Sequence, residues 1–306
     1  YYRVERWCQD QINAGSDFLF DPSLFEAVMK EASKGFDFPL ESLQSLFRNI
    51  YVKHIKTTSR RVQNNLQTDF ITEYLAGKSI KDLAKQSNFS PAILARRVVE
   101  EMTVLGKKKL STAMKNPIEE LGSIDIIKPK YQHSENSFQN KWPGHLSTTT
   151  RLAMEVRDAI ASDPLCGPVS DRARHFVGIE YEVVLEHELK NLGIPFESEA
   201  QLRQKGSART PDVVLSCPIS VQVDSEWHIV CWIDSKALYG DIDSHRTVLS
   251  QAKSYVHRFG PGMILYWFGH APLSKLENAD GDVVIVGWKL PETILWPTGE
   301  VQRGPR

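Results

Sequence analysis

The run Trp232-Ile233-Asp234-Ser235-Lys236 constrains this chain more than any other stretch. With its apolar lead-in, "HIVCWIDSKAL" reads as a β-strand. Side chains two apart on a strand point the same way, so Trp232, Asp234 and Lys236 share one face, and Ile233 and Ser235 the other. A strand interior solvates neither charge, and a buried charge needs a partner. The strand therefore has to end either in an ion pair at a sheet edge or in a site at a sheet mouth that uses both groups.

Upstream stands "TPDVVL". Pro211 lacks an N–H and suits the first position of a strand, which leaves Asp212 at the strand mouth. Paired strands lie ~4.8 Å apart. If these two pair, Asp212 and Asp234 bracket one cation, because carboxylates that close repel unless a proton or a metal lies between them. Mg²⁺ suits such a place, with Mn²⁺ as an alternative: Mg²⁺ takes one or two protein carboxylates and keeps room for phosphate oxygens. A third acid is expected from the preceding helix, where Gly178, Glu182, Leu185 and Leu189 fall on one stripe, so that Glu182 faces the sheet. The alternative, an exposed helix Glu, is the reading for Glu180, Glu186 and Glu188. Lys236 then orients or helps activate a metal-bound water, or neutralises charge on phosphorus. Gln251 and Tyr255 stand at i, i+4 in "QAKSY", either holding the water or Lys236 or forming an ordinary surface pair.

The remainder of the 306 residues sets the frame. The length suits one large domain or two ordinary ones. Hydrophobic residues at 41% and charged ones at 25% support a packed core. A net charge of −1 excludes a globally basic nucleic-acid coat, so such binding needs a local patch. Cys8, Cys166, Cys217 and Cys231 form no CxxC pair, and neither Cys nor His has zinc spacing. Cys217 and Cys231 are expected as buried thiols, which fits a reducing compartment. No apolar run approaches the ~18 residues of a membrane span. The sequence opens at Tyr1 rather than Met, so an N-terminal targeting signal is not readable from it.

Residues 1–106 read as helical. Leu46, Phe47, Ile50, Tyr51 and Ile55 recur at helical spacing, as do Phe70, Ile71, Tyr74 and Leu75, with Gly77 at a left-handed C-cap. Ser79 and Ser90 are N-caps, and Pro91 stands where its missing N–H costs nothing. Two short helices around "SNF" make a helix-turn-helix pattern, either a nucleic-acid reader or a plain helical hairpin. Arg48, Lys53, Lys56, Arg60 and Arg61 meet no acid between them, and Arg96 and Arg97 add to them. Such cations suit phosphates, or simply a solvated helix face. Residues 107–147 read as a polar linker and 148–306 as a second domain. That domain opens with a helix over 151–161 and a long helix capped by Ser170. Strands then follow at "IPFESE", "PDVVLS", "HIVCWIDSKAL", "GMILYWF" and "DVVIVGW", with a helix between the third and fourth. The fold class expected is α/β (α+β), an all-helical region followed by a central mixed sheet flanked by helices. Asp241, Asp243 and His245 read as a capped loop or a substrate contact, Arg258 as a surface group or a phosphate contact, and Trp267, Trp288 and Trp296 as core or half-buried. His54, His175 and His187 read as structural or exposed rather than as ligands.

A helix Glu, Pro-Asp at a strand start, Asp-x-Lys on the next strand and Gln-x-x-x-Tyr on the next helix resemble the PD-(D/E)xK nuclease superfamily, in its Holliday-junction-resolvase-like branch. "GIEYEVVL", "ARTPDVVL", "WIDSKALYGD" and "HRFGPGMILYWFG" further resemble the TPD-motif family of codanin-interacting nucleases, as do "LFRNIYVKHIK" and "DLAKQSNFSPAILARRVVEE". The resemblance implies Mg²⁺-dependent phosphodiester hydrolysis of DNA or RNA by Asp212, Asp234 and Lys236, with Glu182 as the helix acid. It also implies a codanin-like scaffold as partner and a nuclear or mixed nuclear and cytoplasmic location. The rival expectation is an adaptor that keeps the fold and works through protein contacts.

Overall fold

Helical spacing of apolar residues makes the described part of the first half all-helical. The helices are α1 (Tyr2–Asn13), α2 (Pro22–Phe36), α3 (Leu40–Asn64), α4 (Ile71–Leu75), α5 (Ile80–Ser87), α6 (Pro91–Met102), α7 (Lys107–Lys115), α8 (Pro117–Glu120), α9 (Pro129–Gln132), α10 (Thr148–Ala161) and α11 (Pro168–Asn191). The computed structural model describes residues 1–132, 147–276 and 281–303. The chain forms two units, one of Arg3–Phe36 and Ile50–Ala173, the other of Tyr1–Tyr2, Asp37–Asn49 and Arg174–Arg306.

In the helical unit the caps form as the sequence predicts. Ser79 Oγ accepts from Asp82 N at 3.0 Å and Ser90 Oγ from Ile93 N at 3.1 Å. Between α5 and α6 Asn88 takes the left-handed conformation, φ 48°, which Asn tolerates better than most residues. Ile80, Leu83, Ala84, Leu94 and Val98 are buried between the helices. Gly77 has φ 108° just past the end of α4. The expected linker differs: its first part carries α7, α8 and α9, with Leu110, Ala113 and Met114 buried. A three-residue lysine run hides an apolar stripe at i, i+3 and i+4. Residues 133–146 lie outside the described residues. The helix expected over 151–161 starts earlier, under a Ser147 cap, and packs on α5, α6, α7 and α8 in this unit.

The second unit is built on a sheet. Its strands are β1 (Phe196–Ser198), β2 (Val213–Val223), β3 (Glu226–Lys236), β4 (Gly262–Tyr266), β5 (Val283–Gly287), β6 (Thr293–Leu295) and β7 (Val301–Arg303), with helices α12 (Glu199–Gln204) after β1 and α13 (Ile242–Phe259) between β3 and β4. The order is β5-β4-β3-β2-β6-β7, and β1 also pairs with β2. β3, β4 and β5 run parallel, and the remaining pairs are antiparallel. β2 and β3 form a long hairpin whose turn, Asp224-Ser225, has φ 49° and 70°, the left-handed pair that matches strand twist in tight hairpins. The far half of β2 and strands β6 and β7 add to the strands expected from the sequence. α11 begins at Pro168, two residues before the expected Ser170 cap.

Two apolar layers cover the sheet. On one face Leu185 and Leu189 of α11 meet Val213, Ile233, Met263 and Leu265. On the other, Val248, Leu249, Ala252 and Tyr255 of α13 meet Trp232, Ile264 and Tyr266. Trp267 is buried as expected, Trp296 is half-buried, but Trp288 is exposed, held at φ 73° with its ring over Gly269. Trp232 lies across Gly262: a Cβ there would come within 2.1 Å of the indole. That indole is fully buried and donates to Gly260 O at 2.8 Å, so it has no way to yield. Gly262→Ala is therefore expected to destabilise the protein by ~1–3 kcal/mol through overpacking. Calorimetry checks this, and an unchanged melting temperature would contradict it.

Candidate active site

The antiparallel register of β2 and β3 sets Val213 against Ile233 and Val214 against Trp232. Continued by one residue, it brings Asp212 opposite Asp234. Asp212 Oδ2 accepts from Ser235 N at 2.6 Å, which fixes its carboxylate against β3. Asp234 is 1% exposed, and its Oδ2 lies 2.6 Å from Lys236 Nζ. The two charges that open the puzzle of this sequence thus partner each other on one face, as their spacing predicts. Ser235, on the opposite face, accepts from Trp267 Nε1 at 2.8 Å.

The electrostatics follow from two carboxylates and one amine. Burial, then Asp234, pushes Asp212 up to about 7. Burial also raises Asp234, against the pull of Lys236 and of a hydrogen bond with Asp212. Burial works to lower Lys236, but Asp234 and Asp212 outweigh it and hold the amine above its ordinary range. Lys236 is thus an ammonium that neutralises Asp234, and Asp212 is the carboxyl left to keep a proton.

Glu182, expected to face the sheet among apolar neighbours, is exposed while Leu185 and Leu189 are buried. α11 packs on the face opposite Asp234 and Lys236, so Glu182 approaches from the rim, where its charge reaches Lys236, Asp212 and Asp234. Partial burial, then Glu199, raises its carboxyl, and Lys236 pulls it back. A Cβ at Gly178 would meet nothing within 4 Å, so no close approach demands glycine there. Gln251 is exposed and donates through Nε2 to the Tyr255 hydroxyl at 2.5 Å. Tyr255 is buried edge-on to Trp232, ring centroids 5.3 Å apart. Burial, then Asp234, raises its hydroxyl. Gln251 therefore binds Tyr255 rather than Lys236.

As a cation site, Asp212 and Asp234 fit in donor chemistry: two oxygen donors facing each other, with the repulsion that a divalent ion relieves. Among the described residues no group of three or more His, Cys, Asp or Glu gathers closely enough to hold a metal. The free cysteines are Cys8 and Cys166, buried, and Cys217 and Cys231, half-buried rather than buried as expected. Glu199, the first residue of α12, is not among the acids that the sequence pattern singles out. Its charge reaches Glu182, Asp234 and Tyr255, and only the tertiary pairing of β1 with β2 brings it there.

The end of β3 is held from behind. Tyr239 N donates to Ser45 Oγ at 2.8 Å, and Asn49 Nδ2 donates to Tyr239 O at 3.2 Å and to Asp241 Oδ2 at 2.5 Å. Asp241 caps α13, accepting from Asp243 N and Ser244 N. His245 is fully buried against the Tyr266 hydroxyl at 2.9 Å. The capped-loop reading of this segment describes these contacts. Arg258 donates to Ala208 O and Ser207 Oγ, each at 2.9 Å, and so ties down the loop before Thr210.

Of the cations read as phosphate contacts, Lys53, Lys56, Arg60, Arg61 and Arg96 are exposed and Arg48 is half-buried. Arg61 donates to Ser87 O at 3.3 Å. Arg97 is engaged inside the helical unit. It donates to Ser59 O at 3.0 Å and to Ser59 Oγ, and its guanidinium stacks 4.9 Å above Phe89.

The fold and site define an α/β protein whose Thr-Pro-Asp turn sets a carboxylate against an Asp-x-Lys strand. A family model described as "Protein of unknown function TPD sequence-motif" matches residues 148–287. The chain is 31% identical over 282 residues to a Danio rerio protein named "CDAN1-interacting nuclease 1", covering 89% of this chain and 85% of the relative. It is 32% identical over 276 residues to the Xenopus laevis protein of that name, covering 84% and 80%, and 31% over 250 residues to the Homo sapiens one, covering 76% and 78%. The chain belongs to this TPD-motif family. No solved structure matches it.

The raised Asp212 carries a pH signature. The folded chain holds a proton there that the unfolded chain has already lost, so this contribution to stability is present at low pH and is lost as pH rises through about 7. Asp212→Asn removes the titrating group and the repulsion. Relative to wild type, the variant is expected to gain melting temperature progressively between pH 5 and pH 8, by roughly 2–4 °C for each 1 kcal/mol relieved. A difference that does not change with pH would contradict the assignment.

Proposed function

We propose that this protein is a divalent-metal-dependent nuclease that hydrolyses phosphodiester bonds of DNA or RNA and works with a codanin-like scaffold. One observation carries the reading: Asp212, Asp234 and Lys236 meet at the mouth of two paired strands, two carboxylates against one ammonium, with Lys236 Nζ 2.6 Å from Asp234. The names of the relatives point the same way, to nuclease activity and to codanin. Asp212 and Asp234 would hold Mg²⁺ or Mn²⁺. The ion, when bound, supplies an activated water and charge neutralisation at phosphorus.

The remaining roles belong to this chain's own side chains. Lys236, held as an ammonium by two carboxylates, is suited to stabilise negative charge and unsuited to act as a base. Asp234 keeps that ammonium fixed beneath the site. Tyr255, held protonated by burial, accepts from Gln251 and keeps its own hydroxyl proton to donate. Glu182 at the rim adds negative charge and can complete a shell of ligands once an ion draws it in. Lys56, Arg60 and Arg96 are exposed and are among the cations suited to a phosphate backbone.

The adaptor reading is favoured by a different observation, that no three ligating groups converge among the described residues. Cleavage of labelled single-stranded, duplex and branched DNA and of RNA separates the two. The nuclease reading expects cutting with Mg²⁺ or Mn²⁺, none in EDTA, and a loss of about 10²-fold or more in Asp234→Ala and Lys236→Ala. Cutting that persists in EDTA or in Asp234→Ala would sink the mechanism. Binding with no cutting under any metal would favour the adaptor.

A further inference from the structure

The Thr-Pro-Asp turn is gripped by a residue outside the motif. Glu199 is the first residue of α12, where Ser198 forms a capping box with Gln201. β1 and β2 pair with Ser198 opposite Val213, and one step further the Glu199 N–H donates to Asp212 O at 2.8 Å. On the other side of Pro211, Thr210 Oγ1 donates to Glu199 Oε1 at 3.3 Å. Glu199 thus holds the chain both before and after the proline. Its own carboxylate is anchored by Arg203, 2.7 Å away.

Each part of the arrangement has a physical reason. Pro211 donates nothing, so the turn depends on its neighbours for hydrogen bonds. Thr210 is 5% exposed, and a buried hydroxyl left without an acceptor is costly. The Asp212 side chain is held by β3, at the Ser235 amide and at Asp234. Where its backbone sits therefore decides how its carboxylate meets Asp234.

We propose that Glu199 is a positioning residue for Asp212, and that the Thr of the Thr-Pro-Asp turn exists to complete its grip. The Glu199–Thr210 clip sets the approach of Asp212 to Ser235 and Asp234, and with it the affinity of the pair for a divalent ion. The inference rests on the proposed nuclease site for its consequence, but not for its geometry.

The test uses the full chain and two readouts. In the metal-free protein, the Ser235 amide proton is followed by NMR. Thr210→Val, which keeps shape and loses the hydroxyl, and Glu199→Ala are expected to move it upfield as its bond to Asp212 Oδ2 lengthens. Thr210→Ser is expected to restore the wild-type position. With Mn²⁺ alone as the probe, Thr210→Val and Glu199→Ala are expected to bind about 10-fold or more weaker, the range found for groups that orient metal ligands, and Thr210→Ser within about threefold of wild type. An unmoved Ser235 amide in folded Thr210→Val would overturn the proposal, as would a Thr210→Ser variant that behaves like Thr210→Val. Wild-type protein that binds no Mn²⁺ would instead overturn the metal site, and the amide shift alone would then judge the clip.

Discussion

Two carboxylates and one ammonium, shut together at the end of two strands, are the constraint to which the sheet unit answers. Asp234 and Lys236 leave water only because each has the other at 2.6 Å, and a buried pair of this kind is tolerated rather than strongly stabilising. Asp212 makes the balance worse, adding a second negative group for one positive one. A chain selected for stability alone has no reason to place it there. The scaffold around it is correspondingly firm: the Ser235 amide, the Glu199 clip and the bonds from Ser45 and Asn49 behind Tyr239 all hold positions that electrostatics would push apart.

The parts that were legible in the sequence are those fixed by local rules. Period-two alternation places Asp234 and Lys236 on one face, and it holds because β3 keeps an unbroken register with β4 from Ile233 to Lys236. Ser79, Ser90 and Asp241 announced helix starts because a cap is a short-range hydrogen bond. Thr-Pro-Asp marks the start of β2 because a proline, donating no ladder hydrogen bond, suits the first position of a strand; Pro218, further in, falls where the register is irregular, between Val214 and Ile219.

What was not legible depends on tertiary pairing. Glu182 shares a stripe with Leu185 and Leu189, yet the stripe packs on the opposite face of the sheet from the site, and no local pattern reveals which face a helix covers. Glu199 looks like any acidic first-turn residue until β1 pairs with β2. The segment after Gly106 reads as a linker because its polar composition outweighs Leu110 and Met114, and the length of β2, to Val223, depends on its pairing with β3 across an irregular stretch between Val214 and Ile219. Arg97 shows the same limit: a cation in a basic run is a surface charge by composition, and a clamp on Ser59 and Phe89 by structure.

The central proposal is that a divalent ion takes the place of the proton that Asp212 keeps beside Asp234. Titration calorimetry of Mg²⁺ or Mn²⁺ into the intact protein, repeated in buffers of different ionisation enthalpy, counts the protons released on binding. The account requires a substantial fraction of a proton to leave below pH 7, where Asp212 still holds one, and release to fade toward zero above pH 8. Binding with no proton release at pH 6, or release that grows with pH, would mean that the ion does not enter between these two carboxylates.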